Sequence, residues 1–308
     1  MKKSVLFAML VSLFSAGVFA QIAPKRQGAG EMIDIDNVYG NVAQIYAVNC
    51  TLEEVGGVLK KEPTPISQMC LFNERGDVVQ WGPTMLDGLM MHYDYNAKGQ
   101  MTQARMMWGY DNSVFRRTQF VYTDNGLLKA QIYYEDDSEK PSGSDFYKYN
   151  SEDQLIEHYH CNQNGDVTSR TFYEYDANGR KVKDIMTDSD MQTTAVLHYE
   201  YDAEGRLVKE DKADYYDIEL AVYTYGYKYD SKGRKIEEFQ YNVNDPTGHY
   251  PSTFYKYNDA GQLVEKRDCI SKEVYTYDSI GNVVEKSKYD DGEQMPWLIT
   301  EYEITYRE

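Results

Sequence analysis

The amino-acid sequence predicts an all-β protein, an antiparallel β-hairpin repeat array forming a twisted or coiled meander sheet, on three observations. The first is the frame Tyr-x-Tyr-Asp-x-x-Gly-Arg at residues 173–180, which recurs in variants along most of the chain. The second is the alternation of aromatic residues before each such turn, the period of a β-strand. The third is composition: 30 Tyr stand against 10 Phe and 3 Trp, and Tyr suits a half-exposed pleated surface.

The frame predicts a tight hairpin. Asp176 suits the first position of a type I turn, where its carboxylate accepts hydrogen bonds from the backbone amides just ahead. Gly179 suits the fourth position, where the chain must become left-handed. This combination is the three-residue hairpin loop with a G1 bulge, which places Asp176 opposite Arg180 and Tyr175 opposite Lys181.

The same frame assigns structural turn residues along the chain. The predicted turn glycines are Gly76, Gly99, Gly126, Gly179, Gly205, Gly233, Gly261 and Gly281, and the predicted turn aspartates are Asp176, Asp202, Asp230 and Asp278. After Tyr149, Asp153 takes the place of the glycine, and Asp tolerates the left-handed conformation better than most residues.

The chain is expected to begin with a signal peptide, residues 1–20. Lys2 and Lys3 form its positive end, an apolar core follows, and Val18 and Ala20 precede a plausible cleavage site. Removing those two lysines changes the formal net charge from −18 to −20, because the segment contains no acidic residue. The predicted location is therefore outside the cytoplasm: periplasmic, cell-surface or secreted.

Residues 21–37 are predicted to be a flexible leader, since they contain Gly and Pro and show little periodicity. Residues 38–308 are predicted to form a single repeat domain. Its first alternating segment is 40–46. Residues 51–59 have some helical character, but the pair Gly56-Gly57 argues against a stable helix and leaves strand or loop.

The repeats set the number of strands. An aromatic residue lies four positions before each turn glycine, from Phe72 to Tyr277, and successive aromatics are 20 to 28 residues apart. Each interval accommodates two short strands and two turns, which predicts about eighteen to twenty strands. Apolar residues follow at two and at three positions past the glycine, which on strict alternation would face opposite sides. The sheet is therefore expected to coil or to be covered.

The connections between hairpins vary, and recognition in repeat proteins tends to use variable loops and the concave face. The variable segments are 82–88, 139–144, 187–190 and 244–249. The last segment, 297–306, has no tight turn after it and is expected to be a terminal cap or edge strand.

The segment Tyr201-Asp202-Ala203-Glu204-Gly205-Arg206-Leu207 resembles the YD repeat of Rhs (rearrangement hotspot) proteins and teneurins. The resemblance covers about Phe72 to Lys286. It implies hairpins in a long sheet that spirals into a shell, which in some members encloses a toxic C-terminal domain. This sequence has far fewer repeats and no domain after Tyr306, so the resemblance implies a short exported member without a toxin domain.

Charge narrows the class of partner. An acidic chain repels phosphate backbones, so nucleic acid is not an expected partner. Membrane insertion is not expected either, since the strands carry Lys and Glu at many positions where a lipid-facing surface would be apolar. A protein or a glycan is the expected ligand, and the sequence leaves the choice and the oligomeric state open.

A candidate ligand platform is the row Tyr223, Tyr225, Tyr227 and Tyr229, which period two places on one face. Sugar rings stack on such rows, with acidic neighbours binding hydroxyls. Cross-strand packing that stabilises the sheet is the favoured interpretation, because Tyr follows the hairpin register everywhere.

Four cysteines remain after export. Cys50 and Cys70 are the pair closest in sequence, and either a Cys50–Cys70 disulfide or buried thiols fit an exported protein. His158-x-His160 followed by Cys161 is the most metal-like cluster, yet no third ligand follows from sequence, and ordinary surface histidines are favoured. Acidic turns such as Asp188/Asp190 match no calcium loop. No metal and no cofactor are predicted.

No catalytic motif occurs, so an enzyme is not expected. The leading hypothesis is an exported, non-enzymatic β-repeat scaffold or binding protein with a glycan or protein ligand. The first alternative, by resemblance, is a component or remnant of an Rhs-type polymorphic-toxin system. The second is a glycan hydrolase, for which no two carboxylates stand out among the 50 acidic residues.

Overall fold

A computed structural model describes residues 38–308 apart from residues 57, 85–87, 217–218, 243–244 and 250–251. The predicted signal peptide (1–20) and leader (21–37) lie outside the described residues. Every regular element in the described part is a β-strand. None of these residues forms a helix long and apolar enough to cross a membrane.

The protein is an all-β antiparallel array of 21 strands in one sheet. In chain order the strands are β1 (Val42–Val55), β2 (Val58–Phe72), β3 (Val78–Pro83), β4 (Leu89–Tyr95), β5 (Met101–Trp108), β6 (Val114–Tyr122), β7 (Leu128–Glu135), β8 (Gly143–Tyr149), β9 (Leu155–Asn162), β10 (Val167–Tyr175), β11 (Lys181–Asp188), β12 (Thr193–Tyr201), β13 (Leu207–Tyr216), β14 (Glu219–Tyr229), β15 (Lys235–Asn242), β16 (Asp245–His249), β17 (Thr253–Tyr257), β18 (Leu263–Arg267), β19 (Ser271–Tyr277), β20 (Val283–Asp290) and β21 (Leu298–Tyr306). The predicted fold class is confirmed.

The sheet closes on itself. Consecutive strands pair antiparallel from β1 to β16 and from β17 to β21. β15 pairs both with the short β16 and with β17, so the sheet continues past β16. β1 then pairs on one side with β2 and on the other with β21, so that Ile45 lies opposite both Cys70 and Ile304. The prediction that residues 297–306 form an edge or cap is wrong, because β21 pairs with β20 as well as with β1. Closure removes the exposed edges that invite aggregation.

The tight turns have the geometry that the frame requires. At residues 176–180 the amide of Gly179 donates to the carbonyl of Asp176 (3.0 Å) and the amide of Asp176 donates to the carbonyl of Arg180 (2.9 Å). Gly179 has a φ of 77°, in the left-handed region, and Asp153 adopts the same region with a φ of 60°. The carboxylate of Asp176 accepts bonds from the amides of Asn178 and Arg180, both at 2.9 Å.

A second irregularity follows each turn. Tyr175 pairs with Lys181, but its neighbour Glu174 pairs with Lys183, so Val182 is an extra residue in the ladder. The same one-residue shift occurs after the other turns, for example at Tyr201 and Tyr229. Because two bulge residues oppose one tyrosine, strict alternation restarts after the bulge. Strict alternation therefore does not place the residues two and three positions past the turn glycine on opposite faces.

The two faces of the ring have different side chains. In β10, Tyr173 and Tyr175 are partly buried, whereas Glu174 between them is exposed; in β12, Glu200 is likewise exposed beside its two tyrosines. A closed sheet encloses one of its faces, so we assign the tyrosine face to the interior and call it the inner face. Closed sheets of about 16 strands or more are too wide for side chains to fill, which agrees with tyrosines that are only partly buried.

The inner face has an apolar region in the first half of the chain. Leu128 is 1% exposed and packs with Ala104 and Phe120, with Met91 and Tyr93 against them. A second buried cluster lies where the ring closes. Its members are Val42, Ile45, Ala47, Cys70, Phe72 and Tyr302.

The candidate Cys50–Cys70 disulfide is not formed. Cys70 lies opposite Ile45, five residues before Cys50 on β1, and Cys50 lies opposite Pro63. Five residues of strand span roughly 17 Å, far beyond the reach of a disulfide. Both cysteines are buried as unbridged thiols, which was the other interpretation. Residues 51–55 lie in β1 and residues 58–62 in β2, so these parts of the ambiguous segment are strand.

Candidate ligand-binding surface

The frame tyrosines form a hydrogen-bonded ladder between repeats. Tyr201 donates its hydroxyl to the backbone carbonyl of Lys181, the bulge residue of the preceding turn, at 2.6 Å. The same bond recurs in eight successive repeats. The pairs are Tyr95–Val78, Tyr122–Met101, Tyr149–Leu128, Tyr175–Leu155, Tyr201–Lys181, Tyr229–Leu207, Tyr257–Lys235 and Tyr277–Leu263. Burial raises the pKa of Tyr175 to about 12, so these hydroxyls stay protonated donors.

The arginine of the frame links two repeats. Arg180 donates through Nε to Asp176 of its own turn at 2.7 Å, and its guanidinium lies 4.9 Å from the ring centroid of Tyr201 in the next repeat. Arg206 and Arg234 repeat this arrangement on Tyr229 and Tyr257. Hydrogen bonds from the Arg180 amide and its neighbours hold the pKa of Asp176 below its usual range. Every residue of the frame therefore has a structural partner.

The candidate platform of four tyrosines is divided among different environments. The hydroxyl of Tyr229 belongs to the ladder, and the ring of Tyr227 lies 5.5 Å from the ammonium of Lys235. Tyr225 lies opposite Glu210 of β13, and Tyr223 is the most exposed of the four, at 36%. The structure therefore does not present these residues as one uniformly exposed surface.

Charged side chains replace apolar ones on the inner face of β11 and its neighbours. Lys181, two residues after the turn glycine, lies where Leu128 and Leu155 lie in earlier repeats. Its ammonium is 2.8 Å from Asp184 and lies over two rings, 5.4 Å from that of Tyr173 and 4.7 Å from that of Tyr199.

The same arrangement occurs two hairpins later. Lys235 is 2.7 Å from Glu238, 5.5 Å from the ring of Tyr227 and 4.8 Å from that of Tyr255. Burial alone would lower the pKa of Lys235, but the hydrogen bond and the charge of Glu238 raise it above its ordinary value. Lys235 therefore stays charged between its two tyrosines.

The repeat between these two has the carboxylate without the lysine. Glu210 lies five residues after Gly205, the position of Asp184 and Glu238 in their repeats, whereas Leu207 takes the lysine position. Burial raises the pKa of Glu210, the charge of Lys181 lowers it, and Asp184 and Glu238 raise it further. Tyr227 donates a hydrogen bond to the Glu210 carboxylate.

These residues define the polar inner surface of β10–β17. Its members are Tyr173, Lys181, Asp184, Tyr199, Glu210, Tyr225, Tyr227, Lys235, Glu238 and Tyr255. Alternation of tyrosines in the sequence predicted only two of them, Tyr225 and Tyr227, as candidates. A signal was nevertheless present in the sequence, because leucine and lysine alternate at the position two residues after the turn. In five successive repeats this position holds Leu155, Lys181, Leu207, Lys235 and Leu263. That signal becomes visible only when the repeats are aligned on their turn glycines.

A second polar cluster joins β7, β8 and β9. Asp145 Oδ1 lies 2.7 Å from His160 Nδ1 and 3.5 Å from His158 Nε2, and Tyr133 donates its hydroxyl to the same carboxylate. Burial would raise the pKa of Asp145, but hydrogen bonds from His158, Tyr133 and His160 bring it below its ordinary value. The ring of His158 stacks on Tyr147 at 4.8 Å.

The two histidines are thus partly exposed inner-face residues that share Asp145 as a partner. Sequence reasoning could not find Asp145 as their partner, because the contact depends on the register between β8 and β9. Among the described residues, no group of three or more His, Cys, Asp or Glu side chains is arranged to hold a metal ion.

The sequence matches no protein-family model and no curated protein. Among solved structures, the chain is similar to TcdB2-TccC3 without its hypervariable C-terminal region, at 12% identity and a TM-score of 0.44; the match covers 80% of this chain and 15% of that one. A porin-like protein from Bacteroides uniformis matches at 9% identity and a TM-score of 0.38, over 87% of this chain and 99% of that one. A porin-like protein from Bacteroides vulgatus matches at 12% identity and a TM-score of 0.30, over 71% and 94% of the two chains. Because these TM-scores are below 0.5, we infer nothing about function from them.

Proposed function

We propose that the protein is an exported, non-enzymatic β-repeat scaffold that binds a polypeptide segment along its polar inner surface. The observation that carries this proposal is the change in the inner face around the ring. At equivalent repeat positions it is apolar and packed at Leu128 and Ala104, and charged and partly exposed at Lys181, Glu210 and Lys235. Folding alone does not require that change, because charged groups stabilise a sheet less than apolar packing does.

A polypeptide suits this surface better than a glycan does. Sugar rings need free aromatic faces, yet ammonium groups already cover one face of Tyr199 and one face of Tyr255. The frame hydroxyls are engaged by backbone carbonyls and are not available to sugar hydroxyls. The remaining groups are carboxylates and ammonium groups, which complement the charged side chains and backbone of a peptide.

The test compares an inner-face pair with an outer-face pair. Purified protein is screened against a displayed peptide library and a glycan array, and each hit is measured again with two double variants. The first, Lys181→Met with Asp184→Asn, neutralises one inner ion pair; the second, Lys183→Met with Glu174→Gln, neutralises the outer pair at 3.8 Å. We expect a peptide whose affinity falls about tenfold, which corresponds to about 1.4 kcal/mol, in the first double variant only.

A hit that weakens equally in both variants binds elsewhere and contradicts the proposal. Glycan hits that depend on Lys181 and Asp184, with no peptide hits, would replace the polypeptide by a glycan. Circular dichroism melts of both variants show whether the fold is kept.

A second candidate, a component of an Rhs-type toxin system, is favoured by one observation: the sheet closes into a ring, as enclosure of another polypeptide requires. This candidate predicts that a toxin-domain or immunity gene lies beside the coding gene. It also predicts that the neighbouring polypeptide co-purifies with this chain in a manner sensitive to the inner-face variant.

A further inference from the structure

We propose that the inner face contains a binding slot for a primary ammonium group, formed by Glu210, Tyr199 and Tyr227 where Leu207 replaces a lysine. The proposal deepens the function proposed above and rests on it only in taking the inner face as the ligand surface. It names the chemistry of the ligand group: an alkylammonium, carried by a lysine side chain or by a free amine.

Two slots already filled by the protein's own lysines are the templates. In the first, the ammonium of Lys181 bonds to Asp184 and lies between the rings of Tyr173 and Tyr199. In the second, Lys235 makes the matching contacts. The distance from the ammonium to the carboxylate differs by only 0.1 Å between the two slots. Each distance from the ammonium to a ring centroid also differs by 0.1 Å. The scaffold thus forms the same ammonium site twice.

The register builds a third copy between them. Glu210 pairs with Tyr199 across β12 and β13, as Asp184 pairs with Tyr173 and Glu238 with Tyr227. The next tyrosine along the ring is Tyr227, which occupies the place that Tyr199 has beside Lys181. The carboxylate and the two aromatic walls are therefore all present in the middle copy.

Only the cation is missing there. Leu207 can fill the space of a lysine stem, but it ends well short of the ammonium position. Among the described residues, Glu210 has Tyr227 as a hydrogen-bond donor and Lys181 as a more distant positive charge, and no ion pair involves it. Asp184 and Glu238 on either side are each neutralised by their own lysine, so Glu210 is the carboxylate of the three repeats that has no such partner among the described residues.

The slot geometry selects among cations. A primary ammonium donates up to three hydrogen bonds from a compact charge, so it can bond to Glu210 while it lies against two rings. Tyr225, opposite Glu210 on β14, adds a third phenol that the filled slots lack. A guanidinium is planar and wider, and a quaternary ammonium cannot donate a hydrogen bond, so both should bind more weakly.

The experiment titrates the purified protein with n-butylammonium and follows the tyrosine ring resonances by NMR. Tetramethylammonium and guanidinium are the comparison cations. Four proteins are compared: the unchanged protein, Glu210→Gln, Leu207→Lys and Leu207→Met. Leu207→Lys fills the slot with the chain's own ammonium, as at Lys181, and Leu207→Met is its uncharged control of similar length. Thermal melts confirm that each variant is folded.

We expect saturable shifts of the Tyr199 and Tyr227 rings in the unchanged protein and in Leu207→Met. Glu210→Gln should bind at least tenfold more weakly, and Leu207→Lys should not bind. Equal shifts in all four proteins, no saturation in the unchanged protein, or equal binding of tetramethylammonium would overturn the slot.

A peptide arm identifies the source of the ammonium. A short peptide with one lysine and its norleucine analogue are titrated in the same way, and only a lysine-binding slot distinguishes them strongly. If butylammonium binds but the lysine peptide does not, the slot takes a free amine. If neither binds, the slot is disproved, whereas peptide hits that depend on Lys181 and Asp184 would still support the proposed function.

Discussion

The two halves of the inner face use the same hairpin frame but very different side chains. In β4–β8 the positions two and five residues after the turn glycine hold Met101, Ala104, Leu128 and Gln131; the three apolar residues belong to one cluster, and Gln131 donates a hydrogen bond to the hydroxyl of Tyr147. In β11–β15 the same positions hold Lys181, Asp184, Leu207, Glu210, Lys235 and Glu238. The comparison shows that the frame alone is sufficient to form the hairpin. The inner positions can therefore differ between the two halves without loss of the hairpin.

The largest expected change in the free energy of unfolding is at a matched pair of leucines. Leu128→Ala should cost about 2–5 kcal/mol of unfolding free energy, because it leaves a cavity in a closely packed cluster. Leu207→Ala, at the same repeat position, should cost clearly less, because Leu207 is only partly buried. Urea unfolding of both variants measures the difference. Equal costs would show that the two halves are packed alike.

The next effect tests the frame that both halves share. Gly205→Val should cost about 1–3 kcal/mol, since it forces a β-branched residue to a φ of 80°. The strain is in the backbone, because a Cβ at Gly205 would meet only the tip of Arg180, at 4.0 Å. Gly205→Asn should cost less, since Asn tolerates the left-handed region. Equal melting temperatures for the two variants would contradict the G1-bulge geometry.

A smaller effect concerns the ladder. Tyr201→Phe removes the hydroxyl that donates to the Lys181 carbonyl and should cost about 0.5–1.5 kcal/mol. The control is Tyr223→Phe, at an exposed tyrosine outside the ladder, which should change stability little. Chemical denaturation compares the two. A ladder that contributes nothing would give the same value for both.

The smallest expected change in stability depends on pH and concerns Glu210, on the charged inner face of β11–β15. Burial holds the pKa of Glu210 above its ordinary value, so the folded state binds more protons than the unfolded state as the carboxyl titrates. Stability is therefore lost as pH rises through that range. Glu210→Gln should raise the urea midpoint at pH 7, and the gain should vanish below about pH 4, where the carboxyl is protonated in both states.

The control for this prediction is Glu200→Gln on the exposed outer face of β12. It should shift the midpoint little at either pH. A gain for Glu210→Gln that is the same at pH 4 and pH 7 would mean that the ionised carboxylate is not the cause.

Local chemistry explains how much of the fold could be predicted. The turn at Asp176 and Gly179 is encoded by short-range backbone preferences, so its geometry can be inferred from five residues. The bulge at Val182 was not predicted, because it depends on pairing between strands. The choice between a Cys50–Cys70 disulfide and buried thiols stayed open for the same reason: closeness in sequence says nothing about register when a long hairpin separates the two thiols.

The site was less accessible to prediction than the fold. Tyr225 and Tyr227 were identified by alternation, but their partners Glu210, Glu238 and Lys235 lie on other strands. The partnership of Asp145 with His158 and His160 likewise exists only across β8 and β9. Each contact requires knowing which residue lies opposite which.

By itself, the sequence determined the β-hairpin repeat, its left-handed turns and the tyrosine period, because these follow from interactions within a few residues. Only the tertiary structure decided that the sheet closes, which face is enclosed and which charges meet there. Closure depends on β1 recognising β21 across more than 240 residues. No local preference encodes such a pairing, since it is the sum of many weak contacts that exist only once the ring has formed.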